Sequence, residues 1–354
     1  MSLRYIVPTL GLVAFTTAPA MAADVGGLNV GGYVDTILTF ADGGDAIAGE
    51  DAEIDFSAAA QLEIGYQIGD AVSANIELYW DGDSSETDLQ QAYVAWAINE
   101  QVTITMGKFH NFIGWEGLDA PDLYRVNNSY MYAGGTIGGN NLPVSVWGDD
   151  VTGVSVTVAA SEQIEFGVGI VDYIWNAEGP AGIDPAFTVG RASDAISFMA
   201  YATYVAEGLG YFDLDIGFGA EESVTDTGEA GDIFQIDING EIDTLKEDNG
   251  LLFAFDINYT DYDAAGSLGI LLLANYVLPT EVPMSATLSL NYLDAVDDDD
   301  IAEDDEGTEI AVALLTNPTD DENFSLNVEA RSITRGLDDS DEFGVYLEML
   351  AIIP

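Results

Sequence analysis

Along most of the chain, apolar and polar positions alternate with a period of two. Between residues 54 and 66, Ile54, Phe56, Ala58, Ala60, Leu62, Ile64 and Tyr66 share one parity, while Asp55, Ser57, Gln61 and Glu63 take the other. After Gly69-Asp70 the pattern resumes, with Val72, Ala74, Ile76, Leu78 and Trp80 opposite Ser73, Asn75 and Glu77. Phe212, Leu214, Ile216 and Phe218 oppose Asp213 and Asp215. Phe234, Ile236, Ile238 and Ile242 oppose Gln235, Asp237, Asn239 and Glu241. Ala286, Leu288, Leu290 and Tyr292 oppose Ser285, Thr287, Ser289 and Asn291. Phe324, Leu326, Val328 and Ala330 oppose Asn327, Glu329 and Arg331. This is the signature of strands, not helices. The runs are nine to twelve residues long. Strands of soluble proteins are typically about five or six, whereas a tilted strand crossing hydrocarbon needs about ten.

About sixteen such segments can be counted, from one beginning near Val30 to one beginning near Glu342, with the fourth near Gln90 and the eighth near Ala195. Their connections alternate in character. Those around Gly69, Glu100, Glu162, Gly208, Glu247, Thr280 and Asp320 are mostly short. Between them lie mainly longer Asp- and Gly-rich stretches at 41–53, 110–144, 176–193, 221–232 and 294–307. The expected fold is therefore all-β: a transmembrane antiparallel up-and-down β-barrel of about sixteen strands, with long external loops and short periplasmic turns. Closure follows from the same physics, because an open sheet edge has no hydrogen-bond partners in lipid. Tyr66, Trp80, Trp96, Tyr204, Tyr259, Tyr276 and Tyr292 fall toward strand ends, where interfacial aromatic girdles sit. The last run, Phe343, Val345, Leu347, Met349 and Ile353, still alternates. The chain then ends Ile353-Pro354 rather than on the aromatic residue common in such barrels.

The N-terminus adds a compartment. Arg4 precedes an apolar run from Ile6 to Phe15, and Ala20-Met21-Ala22 closes it. This reads as a cleavable signal peptide over 1–22, too short to span a bilayer, followed by a single barrel domain over 23–354. Export of a β-barrel in this way points to a bacterial outer membrane. The chain has no Cys, so no disulfide or lipid anchor on sulfur is available to it. Without the leader, six basic residues face 63 acidic ones, a net charge near −57. Such a chain repels nucleic acid. The acidity has two compatible readings, a surface suited to a saline habitat and a lumen that gathers cations.

If the apolar parity faces lipid, the other lines the interior. That set includes Asp55, Glu63, Glu77, Glu165, Asp213, Asp215, Asp237, Glu241, Asp256, Glu329 and Glu348, with Arg331 almost alone as a base. Carboxylates on an aqueous wall would concentrate cations and exclude anions. The longest connection, near 110–144, brings Lys108 and Arg125 close to His110, the one His of the chain. Mixed charge in so acidic a protein suggests a folded segment, and Asp119-Ala120-Pro121-Asp122 is a turn or helix-start signal. We read this third loop as folded into the lumen, with His110, Glu116, Asp119, Asp122 and Arg125 at a constriction. An ordinary external loop packed on the rim is the other reading.

The same stretch carries a resemblance. Gly107-Lys108-Phe109, Gly114, Glu116, Ala120-Pro121-Asp122 and Asn127-Asn128-Ser129-Tyr130 resemble the signature of the β-barrel porin-2 (OmpL-like) outer-membrane family. The match covers about 25 residues. It departs from the family at Asn111-Phe112-Ile113, where a Pro is common, and at residues 138–143, where aromatics are usual. The resemblance implies a channel of unassigned solute with no catalytic residues.

Pattern and resemblance together predict a passive, cation-preferring porin for small hydrophilic solutes, with no cofactor and no metal. Its partners would be membrane lipid and lipopolysaccharide, with a homotrimer as the analogous assembly. Three other readings stand beside it. A barrel hydrolase would need His110 as its base beside a nucleophile. Calcium could bind Asp297–Asp300, Glu303–Glu306 or Asp81-Gly82-Asp83, although none has EF-hand order. A non-conducting structural or adhesive barrel, bridged to lipopolysaccharide by divalent cations, is the third.

Overall fold

The computed structural model describes residues 27–43, 53–82, 86–116, 120–133, 150–172, 174, 196–223, 230–243, 250–262, 265–297, 305–319, 323–335 and 342–353. The leader at 1–22 and most of the long connections lie outside them. Sixteen strands run in chain order: β1 (Leu28–Gly43), β2 (Glu53–Ile68), β3 (Val72–Asp81), β4 (Glu86–Asn99), β5 (Val102–Phe109), β6 (Val151–Ala159), β7 (Ile164–Val171) and β8 (Ser197–Ala206) form one half. The other half is β9 (Gly210–Ser223), β10 (Ala230–Ile242), β11 (Leu251–Tyr262), β12 (Ala265–Val277), β13 (Met284–Asp297), β14 (Asp305–Thr316), β15 (Phe324–Arg335) and β16 (Glu342–Ile353).

Each strand pairs antiparallel with its sequence neighbours, and β1 pairs with β16 from Gly32↔Ile353 to Gly43↔Glu342, which closes the ring. The barrel is thus up-and-down, without a free edge. At the turn between β2 and β3, Gly69 sits at φ +67, the left-handed conformation that a tight hairpin turn requires.

Which face the apolar parity takes decides the environment. Phe56, Met106, Val168, Phe198, Leu272 and Val312 point outward, and the first two are 67% and 64% exposed. Inward-pointing Asn75, Ser155, Gln235, Asn258 and Ser289 are buried. A soluble protein buries its apolar set and exposes its polar one. The inversion here gives a barrel with a lipid-facing wall and a polar interior, and no described helix is long and apolar enough to cross a membrane. The aromatics expected at strand ends do point outward: Tyr66, Trp80, Trp96, Tyr204, Tyr259 and Tyr276 are exposed and Tyr292 is half-buried.

Strand ends differ from the sequence reading where tertiary pairing extends them. β4 begins at Glu86 rather than near Gln90, and several strands reach 14 to 16 residues. A bulge between Glu77 and Leu78, opposite Gln91 and Leu89, also switches the parity of β4, so that Leu89 and Val94 both face outward.

Candidate pore constriction

The segment after β5 does not stay beside its own strands. Its root packs on the near wall: Phe109 joins Val151, Val171, Ile174, Met199 and Ile233, with Tyr93 and Phe112 against them. Phe112 meets Tyr201 edge-on at 4.7 Å between ring centroids. Asn111 Nδ2 donates to the Ile174 carbonyl at 2.9 Å. Here Gly217 makes room, since a Cβ on it would lie 2.7 Å from Ile113 Cδ1 and 2.8 Å from Ile174 Cδ1.

Its far end is bound to strands on the opposite side. Arg125 Nη1 donates to Glu309 Oε1 on β14 at 2.5 Å and to Ser289 Oγ on β13 at 2.7 Å. Arg125 Nη2 reaches Glu329 Oε1 on β15 at 3.3 Å. The backbone N–H groups of Val126 and Asn127 donate to Glu329 Oε2 at 2.8 and 3.2 Å. Thr287 Oγ1 donates to the Tyr124 carbonyl at 2.5 Å, and the Met131 N–H to Asn291 Oδ1 at 3.0 Å. The loop leaves β5 and binds β13 to β15, and in a ring of sixteen strands β5 and β13 are half a circumference apart. The segment therefore crosses the lumen.

A short helix, α1 (Tyr130–Ala133), seats Tyr130, Met131 and Tyr132 against lumen-facing Leu271, Leu293 and Ile333. Between root and anchor, Trp115 stacks on Tyr124 with centroids 6.0 Å apart and planes 5° from parallel. The Trp115 N–H donates to Asp256 Oδ2 at 3.1 Å, and the Tyr132 hydroxyl donates to the same carboxylate.

The residues expected at the constriction divide. Arg125 is the anchor just described. Its two carboxylates more than offset the downward pull that burial exerts on its guanidinium, so it stays charged. Glu116 is an internal clasp, accepting the Ser129 N–H at 2.7 Å and Oγ–H at 2.8 Å. Burial pushes its carboxyl up to about 7, while Arg125 and the two Ser129 hydrogen bonds pull it back. His110 stands at the loop's start, half-exposed, with Nδ1 2.7 Å from buried Asp150. Asp119 and the side chain of Asp122 lie outside the described residues. Ala120–Asp122 form one 3-10 turn, so Pro121 sits in a turn rather than at the start of a longer helix.

The wall carboxylates all point inward, but they differ in what covers them. Asp55 and Glu63 are exposed to the lumen. Glu77 accepts Gln61 Nε2 at 2.7 Å and Gln91 Nε2 at 2.9 Å. Glu165 takes the Tyr201 hydroxyl at 2.8 Å and Asp213 that of Thr203 at 2.9 Å. Asn239 Nδ2 bridges Asp215 and Asp237 at 3.1 and 2.7 Å, and Glu348 accepts Asn327. Glu241 is buried. Asp256 and Glu329 are fully covered, and their covering is the loop itself. Arg331 pairs with Glu342 at 3.2 Å and lies over the Tyr346 ring.

Three acidic residues escaped the sequence reading. Glu309 carries the same inward parity opposite Ile310 and Val312, so its place was readable and its role was not. Asp35 is a second inward carboxyl of this kind. Asp150 belongs to no alternating run, and only the fold brings it to His110.

No protein-family model and no curated protein matches the chain. Solved structures do. OprB of Pseudomonas putida superposes at a TM-score of 0.63 with 12% identity, covering 92% of this chain and 94% of that one. The fold is that of a bacterial outer-membrane barrel. The anion-selective porin from Comamonas acidovorans gives 0.63 at 14% identity, covering 92% and 99%. The trimer form of OmpT, an outer membrane protein of Vibrio cholerae, gives 0.55 at 12%, covering 92% and 99%. Identity this low speaks to architecture, that of bacterial outer-membrane barrels, and the chemistry must be read from this chain's own lumen.

Proposed function

We propose that the chain is an outer-membrane porin, a passive and cation-preferring channel for small hydrophilic solutes, with the third loop as its constriction. One observation carries the reading: a closed sixteen-strand barrel with a lipid-facing exterior and a polar lumen that a tethered loop crosses. A ring of this size is wide enough for an aqueous path beside such a loop. Cation preference is supported by the sign of the lumen. Its described guanidinium groups, Arg125 and Arg331, are each committed to carboxylates, whereas Asp55 and Glu63 face the interior exposed. The likeness to the anion-selective porin from Comamonas acidovorans is one of scaffold at 14% identity, and its selectivity is not carried over to this chain. A non-enzymatic role is in keeping with His110, whose ring nitrogens lie 2.7 Å from Asp150 and 2.6 Å from Gln91. By analogy with the trimer form of OmpT we propose a homotrimer, to be checked by native mass measurement in detergent.

Purified protein in a planar bilayer under a potassium chloride gradient tests the reading. Discrete conductance steps with a reversal potential of cation-preferring sign are expected. A second reading, a non-conducting structural barrel, draws on the apolar seat that α1 fills inside the lumen. Intact protein that inserts without conducting would establish it in place of the first.

A further inference from the structure

His110 is the chain's single histidine, and its two ring nitrogens meet unlike partners. Nδ1 lies 2.7 Å from Asp150 Oδ1, within ion-pair distance of a carboxylate with no side-chain exposure. Nε2 lies 2.6 Å from Gln91 Nε2. The orientation of the Gln91 amide is set from its other side, where the same nitrogen donates to Glu77 Oε2 at 2.9 Å. Glu77 is acceptor-only when ionised, and Gln61 holds its second oxygen at 2.7 Å. The Gln91 nitrogen therefore points hydrogens at both neighbours, and His110 Nε2 must offer a lone pair. With Gln91 so oriented, a neutral ring carries its proton on Nδ1, the nitrogen nearer Asp150.

A second proton cannot be added without changing the chain of bonds. An Nε2–H would oppose an amide N–H at 2.6 Å. Turning the Gln91 amide would relieve that clash but set its oxygen against Glu77. One link must break, and a positive charge appears at the loop's root where the ring is 44% exposed. The ionisable groups around it are Asp150 ahead of β6, Glu77 on β3 through Gln91, and Glu63 and Tyr93 on β2 and β4 behind them. Among the described residues, Lys108 on β5, whose Nζ donates to the Leu89 carbonyl at 2.9 Å, and Asp172 past β7 lie at the same strand ends. Imidazole is the side chain that ordinarily changes charge across the physiological range.

We propose that His110 is a selectivity-determining residue: uncharged it leaves the lumen acidic and cation-preferring, and protonated it breaks its link to Gln91 and weakens that preference. The inference rests on the channel reading, so two independent measurements are needed. A single histidine makes the imidazole 15N and 1H resonances of the full chain in detergent micelles assignable without any mutation. The Nδ1–H tautomer is expected at high pH, and ring protonation should move the Gln91 side-chain amide resonances with it. An Nε2–H tautomer at high pH, or Gln91 resonances indifferent to the titration, would overturn the proposal whether or not the protein conducts.

The second arm is the reversal potential at pH 8 and pH 5.5, measured in Glu116→Gln protein so that the raised Glu116 carboxyl is silent. The cation-to-anion permeability ratio should fall at least about twofold on acidification. Adding His110→Gln should remove that fall. An equal fall in both proteins would overturn the selectivity role. Loss of conductance in every protein would instead overturn the channel reading.

Discussion

Arg125 carries its charge into a site with 1% side-chain exposure, and the two carboxylates that receive it, Glu309 and Glu329, are wholly covered. Breaking a buried pair by removing one partner typically costs about 3–5 kcal/mol, because the remaining charge is stranded. Arg125→Met should therefore release the loop's far end while leaving the barrel ladder intact, so single-channel conductance rises and far-ultraviolet dichroism stays unchanged. Adding Glu309→Leu and Glu329→Leu should recover part of the docking, since replacing a whole buried cluster is far cheaper than halving it. Glu116 acts in the other direction. Its docked carboxyl titrates at about 7 against an ordinary 4.5, so docking favours the protonated form. That contribution is fully present below the ordinary value and is lost as pH rises through about 7. At pH 8 Glu116→Gln, which cannot ionise, should hold the loop more tightly than the native residue. Trypsin cleavage after Arg125 measures this, and faster cleavage in the variant would contradict it.

At the scale of elements, the strands were legible and the loop's path was not. Period-two runs such as Phe212–Phe218 and Phe324–Arg331 name their own inward and outward faces, because lipid and lumen impose opposite solvents on alternate residues. The parity of Glu309, Glu329 and Asp256 came with that. What they hold did not, since Arg125 bonds a residue 184 positions away and Trp115 one 141 positions away. No local pattern encodes such pairs. Bulges blur the reading as well: the shift at Glu77/Leu78 moves β4 by one, which is why Leu89 and Val94, of opposite number parity, share a face. The near wall supplies a test of how the loop is seated. Gly217→Leu would press on Ile113 and Ile174, and overpacking of this kind typically costs about 1–3 kcal/mol. The root should shift and the sheet should not. Hydrogen exchange is expected to rise at the amides of Ile113 and Trp115 while those of β9 and β10 stay protected.

For the whole molecule the governing quantity is charge, 63 acidic residues against seven basic ones. The described lumen residues account for part of this excess. Two mechanisms of selectivity make different demands on salt. A tight coordination site would discriminate by contact and depend little on ionic strength. A field from wall carboxylates such as Asp55 and Glu63 acts across water, and its reach shrinks with the Debye length, from about 10 Å at 0.1 M salt to about 3 Å at 1 M. Asp55 and Glu63 sit exposed on a wall, where their field acts across water. The field mechanism is therefore the one this barrel should use. Reversal potentials taken at a fixed concentration ratio but rising mean salt should show cation preference strong near 0.1 M and much reduced near 1 M. Glu63→Gln should lower the preference at low salt and leave the high-salt value almost unchanged, because screening has already removed the term that the mutation deletes. A preference that stayed constant across that range would mean that ions are selected by contact at the crossing loop, and would move the search for the selective residues from the wall to the loop.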